Sequence, residues 1–171
     1  MTEQKTSKKS VGGRSKSTSQ AKSDLSLFDL LKRDHENVKG LFEQIQGDGD
    51  MEMESREDLF SQIEEELQLH MGGEERFFYP VLKESEQAHD KVLEAYEEHH
   101  VARTVLGEAG DLDKEDERWE AKIKVLNELV EHHIEEEEGK IFKIAKKALA
   151  KEQIQEIARQ IQQLKDQRAG A

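Results

Sequence analysis

The chain has no cysteine. Disulfides, thiolate nucleophiles, zinc fingers and iron–sulfur clusters are therefore excluded. It has one proline and few aromatic residues. In their place stands an excess of Glu, Lys, Leu, Ile and Gln, most of which favour helices. No stretch alternates strongly enough between apolar and polar residues to predict strands. No apolar run is long enough for a signal peptide or a membrane span. The expected location is the cytoplasm. Apolar residues are 34% of the chain and charged residues 38%, which suffices for a helical bundle because its core is a narrow apolar stripe.

Charge is unevenly placed along the 171 residues. Up to Ser23 there are six lysines and arginines against Glu3 alone, a balance of +5, which leaves −18 on the rest of a chain whose total is −13. An acidic body argues against strong nucleic-acid binding and against an anionic membrane surface. Residues 1–23 hold hardly any apolar side chain and read as a disordered basic tail. Residues 24–148 read as one helical domain, and residues 149–171 as a C-terminal amphipathic helix.

The first helix is expected from about Asp24, with Ser23 or Asp24 as N-cap. Its stripe is Leu27, Phe28, Leu31, His35, Val38, Leu41, Phe42 and Ile45. It ends at Gly47-Asp48-Gly49-Asp50, which lacks the remaining ligands of a calcium loop. The second is expected from Ser55, with Asp58 as a weak capping-box partner, and carries Leu59, Phe60, Ile63, Leu67, His70, Glu74, Phe77 and Phe78. It ends or bends near Pro80. Gly72 and Gly73 fall between His70 and Glu74, and each costs about 1 kcal/mol relative to Ala inside a helix. The pair implies close backbone approach or a local bulge; a plain helix break is the competing reading. A third helix spans about Ser85–Ala109, with Val92, Ala95, Tyr96, His99, Ala102 and Leu106 on one face. The fourth, capped by Asp111 or Asp113, carries Trp119, Ile123, Leu126, Leu129, Val130, His133, Glu137, Ile141 and Ile144. Ile154, Ile157, Ile161 and Leu164 then continue that helix or form a short fifth one, which covers a bundle end or mediates dimerisation. The expected fold is all-α, an up-down-up-down four-helix bundle with this extra C-terminal helix.

Histidines sit inside these apolar stripes. His35 is followed 35 residues later by His70 with Glu74 one turn on; His99 is followed 34 residues later by His133 with Glu137 one turn on. This is an internal repeat of one helical hairpin. Residues four apart share a helix face, so each His-x-x-x-Glu pair points inward with the core. A buried carboxylate is costly without a compensating cation, and a metal with imidazole ligands supplies one. Each half offers two imidazoles and one carboxylate, the ligand set of an iron site with open positions, and two halves facing each other would hold two metals. Glu74 and Glu137 are both placed to bridge them. Manganese and zinc suit the same donors. His100 and His132 read as surface groups or as groups that orient the ligands, and His89 as a bundle-end residue. Glu75, Glu136 and Glu138 read as a solvated acidic face, Tyr79 and Tyr96 as core. The ferritin-like pattern needs Glu-x-x-His on two helices, whereas Glu86/His89 and Glu97/His100 both fall on the third.

The stretches DHENVKGLF from Asp34, LHMGGEERFFYP from Leu69, EEHH from Glu97 and HIEEEEGKIF from His133 resemble the hemerythrin-like, or HHE cation-binding, family of bacterial type. The resemblance runs from Leu25 to Ile144. It implies a four-helix bundle around two non-haem iron ions, with oxo, hydroxo or carboxylate bridges. The implied ligands are His35, His70, Glu74, His99, His133 and Glu137. It also implies O2 or another small oxidant as ligand. The oxygen carriers of the family have a further histidine where this chain has Arg103, and many relatives have proline where it has Lys143. Binding or sensing of O2 is the leading expectation. An iron oxidase, a peroxidase or a nitric-oxide-consuming enzyme is the second, and a metal-free interaction scaffold with a protein partner or as a homodimer the third.

Overall fold

The computed structural model describes residues 26–47 and 51–170. The expected basic tail, the caps Ser23 and Asp24, and most of the Gly47–Asp50 loop lie outside the described residues. Helix α1 (Leu27–Gly47) opens at Ser26, whose hydroxyl accepts from the Asp29 N–H at 3.2 Å and donates to the Asp29 carboxylate at 2.7 Å. Helix α2 (Met53–Gly73) starts two residues ahead of Ser55 and has no side-chain cap. A π-helical turn (Glu74–Phe78) carries it into α3 (Tyr79–Leu82). Helix α4 (His89–Gly110) begins after a hydrogen-bonded turn at Ser85 rather than at Ser85 itself. Helix α5 (Glu117–Glu136) is capped by Asp116, not by Asp111 or Asp113. Its register passes through a second π turn (Glu137–Ile141) into α6 (Phe142–Ala148). Leu149 and Ala150 are extended, so α7 (Lys151–Ala169) is a separate helix rather than a continuation.

The double glycine does not break α2. The Glu74 N–H still bonds to the His70 and Met71 carbonyls, so His70 and Glu74 keep one register. The bulge expected of the pair follows immediately, whereas no close backbone approach is seen: a Cβ at Gly72 would meet nothing and one at Gly73 only ordinary contact. A Cβ there would lie 3.4 Å from two Ile161 carbons. Pro80 has no N–H to offer, and the Glu75 carbonyl five residues before it accepts instead from the Tyr96 hydroxyl at 3.4 Å.

The apolar stripes collect into two clusters. One joins the start of α1 (Leu27, Leu31) to Phe78 and Tyr79, the start of α4 (Val92), Phe142 and α7 (Ile157, Ile161). The other joins the end of α1 (Phe42) to the earlier part of α2 (Phe60, Ile63), the end of α4 (Leu106) and the start of α5 (Trp119, Leu126). Starts of two helices therefore pack with ends of the other two, which is the alternating order of an up-down-up-down bundle. Between the clusters on every main helix lies a buried polar layer: Asp34, His35, His70, Glu74, His99, His133 and Glu137. Among the described residues no helix is long and apolar enough to cross a membrane.

α7 packs against α1, α2 and the first π turn with a fully buried Ile161. Ile161→Ala removes that contact and should cost about 2–5 kcal/mol in urea unfolding of the metal-free protein. Leu93→Ala, on the exposed face of α4, should stay within about 0.5 kcal/mol of the parent chain.

Candidate metal centre

All six residues singled out by spacing meet in the polar layer, one turn or less from its centre. His35 Nε2 lies 3.2 Å from His70 Nε2 and 3.2 Å from Glu137 Oε2. His70 Nε2 is 3.3 Å from Glu74 Oε2. Across the layer His99 Nε2 lies 3.1 Å from His133 Nε2 and 3.4 Å from the same Glu74 oxygen. The ligand atoms form two overlapping groups, His35/His70/Glu74/Glu137 and Glu74/His99/His133, each within 4.8 Å. Glu74 alone belongs to both. Glu137, expected to bridge as well, sits with the histidines of the first half because α5 packs directly on α1.

Every imidazole turns its other nitrogen to a carboxylate. His35 Nδ1 is 2.8 Å from Glu138, His99 Nδ1 is 2.9 Å from Glu75, and His133 Nδ1 is 2.7 Å from Glu98. His70 Nδ1 faces Asp34 Oδ2 at 3.5 Å, a contact without a formed hydrogen bond. Donation from Nδ1–H leaves the Nε2 lone pair aimed at the centre, which is how carboxylates orient histidine ligands. Glu75 and Glu138 are thus not a solvated face, and Glu136 is half-buried and paired with Lys91 and Lys140. Asp34 and Glu98 were not singled out by the sequence reading. Their signal was position: each precedes its lone histidine, and each carboxylate after a His-x-x-x-Glu pair serves the opposite half. His89, His100 and His132 are exposed, and His132 reaches only the Glu98 carboxylate, at 3.5 Å.

The repeat extends to the aromatic rings and the helix geometry. Residues 74–78 and 137–141 are π turns at the same point of each half. On an α-helix the fifth residue onward is roughly 140° away. The wider turn brings it back: Tyr79 stacks on His99 at 5.4 Å and Phe142 on His35 at 6.1 Å. There the halves diverge. The Tyr79 hydroxyl donates to Glu74 and to Glu137, each at 3.3 Å, and Phe142 has nothing to offer.

The electrostatics show what such a layer demands. Burial, then the neighbouring charge of Glu137, pushes the Glu74 carboxyl well above the usual range. Burial also opposes ionisation of Glu137, but the His35 hydrogen bond and the histidine charges outweigh it and hold its pKa low. Burial pulls His70 down to about 4, so it is neutral at pH 7. Burial and then the two carboxylates raise the Tyr79 hydroxyl far out of reach of deprotonation. Glu74 Oε1 and Glu137 Oε2 are buried without a hydrogen-bond partner. Two pairs of imidazole Nε2 atoms face each other about 3 Å apart. Cations between these groups would satisfy all of them, and imidazole with carboxylate is the donor set of iron, manganese or zinc. The residues fit metal binding.

Beside the Nε2 atoms opens a narrow cavity of about 20 Å³. All four imidazoles line it, and Val38, Leu67, Met71, Ala102, Val130 and Ile134 supply apolar walls.

A helical bundle with a buried His/Glu layer of this kind has the make-up of a cation-binding domain. The chain belongs to the hemerythrin family, because the Hemerythrin HHE cation binding domain matches it over residues 26–145. A solved hemerythrin HHE cation-binding-domain-containing protein from Mycobacterium kansasii shares the fold, with a TM-score of 0.72, 21% identity, and coverage of 85% of this chain and 89% of that one. A curated relative described as a DNA nickase, from Nostoc sp. (strain PCC 7120), is 25% identical over 137 residues, or 80% of this chain. The chain spans only 38% of that relative's length.

Glu75 is half-way out of the core, and burial opposes its charge, yet the His99 and Arg103 hydrogen bonds bring it down to about 2 from 4.5. A carboxylate lowered in the folded state stabilises it above the unfolded pKa and loses that contribution as pH falls through the folded one. Metal-free protein should therefore lose stability between pH 4.5 and 2 more steeply than Glu75→Gln, compared by urea unfolding across that window. Equal slopes would show that Glu75 is not held by His99 and Arg103.

Proposed function

We propose that this chain holds two iron ions in the polar layer and uses them to bind or sense O2 or a related small oxidant. The observation that carries the reading is the cavity: it is lined by all four imidazoles and by Glu98, has apolar walls elsewhere, and has room for about one molecule the size of water. His35, His70, Glu74 and Glu137 would hold one ion, and Glu74, His99 and His133 the other. When bound, an iron pair supplies electrons to a small oxidant. The chain's own residues do the rest. The four Nδ1 partners keep the imidazoles turned inward, and the apolar walls keep bulk water out. The Tyr79 hydroxyl holds a proton between the two carboxylates, next to the ions. Two carboxylates offset only half of the charge of two divalent ions, so a small anion or a reducible neutral ligand is favoured in the cavity.

An enzyme acting on a small oxidant is the second reading, and the same cavity favours it equally while leaving no space for an organic substrate. Strand cleavage is not carried over from the nickase. The body that this chain shares with part of that relative is acidic, which repels phosphate backbones.

Anaerobic Fe(II) titration followed by exposure to O2 tests the reading by near-ultraviolet absorption. Saturation near two irons per chain and a new band on oxygenation are expected, with His70→Ala and His133→Ala each losing iron. Reversal of the band when O2 is removed marks binding or sensing. Sustained oxidant consumption with an electron donor marks an enzyme. Full iron content in both variants would refute the site.

A further inference from the structure

α7 touches the metal centre on one side only, and does so twice. Ile161 lies against Gly73, the residue before Glu74. One turn later Lys165 forms an ion pair with Asp34 Oδ1. Asp34 is 3% exposed, and its other oxygen is the one facing His70 Nδ1. The other three Nδ1 partners are held from within the main helices. Lys32 of α1 pairs with Glu138, Arg103 of α4 with Glu75, and His132 of α5 lies by Glu98. Among the described residues no α7 side chain is hydrogen-bonded or ion-paired to Glu75 or Glu98, the partners of His99 and His133. The pseudo-symmetric bundle is thus made unequal by its fifth helix.

We propose that α7 is a strap that controls metal binding at one of the two positions, the one built from His35, His70, Glu74 and Glu137, with Lys165 as its positioning residue. This rests on the two-metal reading above. Without Lys165 the buried Asp34 carboxylate loses the cation paired with it and is free to turn from the neutral imidazole. Loss of a group that orients a histidine ligand weakens metal binding by about 10–100-fold. Lys165 acts through Asp34, so the lower end of that range, about tenfold, applies. The Glu74/His99/His133 position keeps its affinity. Linkage makes the effect reciprocal: metal at the strapped position holds α7 down by the same factor.

The test is anaerobic Fe(II) titration of the full chain by calorimetry, with amide hydrogen exchange over residues 151–169 in the presence and absence of Fe(II). The parent chain should show two binding events. Lys165→Met should weaken one about tenfold and leave the other, Lys165→Arg should restore it, and Glu98→Gln should weaken the other event instead. Fe(II) should protect α7 from exchange in the parent chain and in Lys165→Arg, and not in Lys165→Met. Unchanged affinities in Lys165→Met, equal weakening of both events, or no metal-induced protection of α7 in the parent chain would each overturn the proposal. The exchange result on the parent chain needs no variant, so it decides even where the methionine alters packing. A parent chain that takes up no second iron would sink the two-metal reading itself.

Discussion

Two carboxylates and four imidazoles share one dry layer across the bundle, and their polarity must be met from within. Glu74 and Glu137 are fully buried, each with an oxygen that no protein group satisfies. Leaving them ionised and uncompensated in an apolar interior would cost several kcal/mol per charge. The apolar clusters above and below the layer make matters stricter, because they keep water from doing the work. Metal binding is a compensation that the donor geometry admits. The rest of the structure serves to hold those donors in place.

It serves them through repetition. Each half contributes one lone histidine preceded by an acid, and one His-x-x-x-Glu pair followed by an acid. The acids cross over, so each half orients the other half's imidazoles or its own partner helix's. Each half also spends a π turn directly after its ligand pair, which returns an aromatic ring to the face of an opposing imidazole. Function enters where the halves differ. Tyr79 has a hydroxyl between the carboxylates where Phe142 has none, Glu74 alone reaches both groups, and α7 docks against one side. These differences make the two groups of ligand atoms chemically distinct.

The inward faces of the helices were legible in the sequence because period 3.6 aligns His35, His70, His99 and His133 with the apolar stripes. The glycine pair also announced the first π turn. The second gave no such warning, since Gly139 sits alone inside it. The acids that orient the imidazoles were invisible for a physical reason. Asp34, Glu75, Glu98 and Glu138 lie on the flanks of their helices, where an acid beside solvent and an acid beside a neighbouring helix's imidazole look alike. Lys165 was hidden likewise, because its partner is 131 residues away in the chain. Helix starts slipped where capping residues compete: Asp111, Asp113 and Asp116 all qualify, and packing of Trp119 into the core selects the last.

The central claim is that one polar layer holds two metal positions joined by Glu74. Anomalous diffraction at the iron edge from crystals of the iron-loaded protein tests it most directly. The account predicts two peaks, one among His35, His70, Glu74 and Glu137 and the other among Glu74, His99 and His133. A single peak, or iron outside this layer, would contradict it.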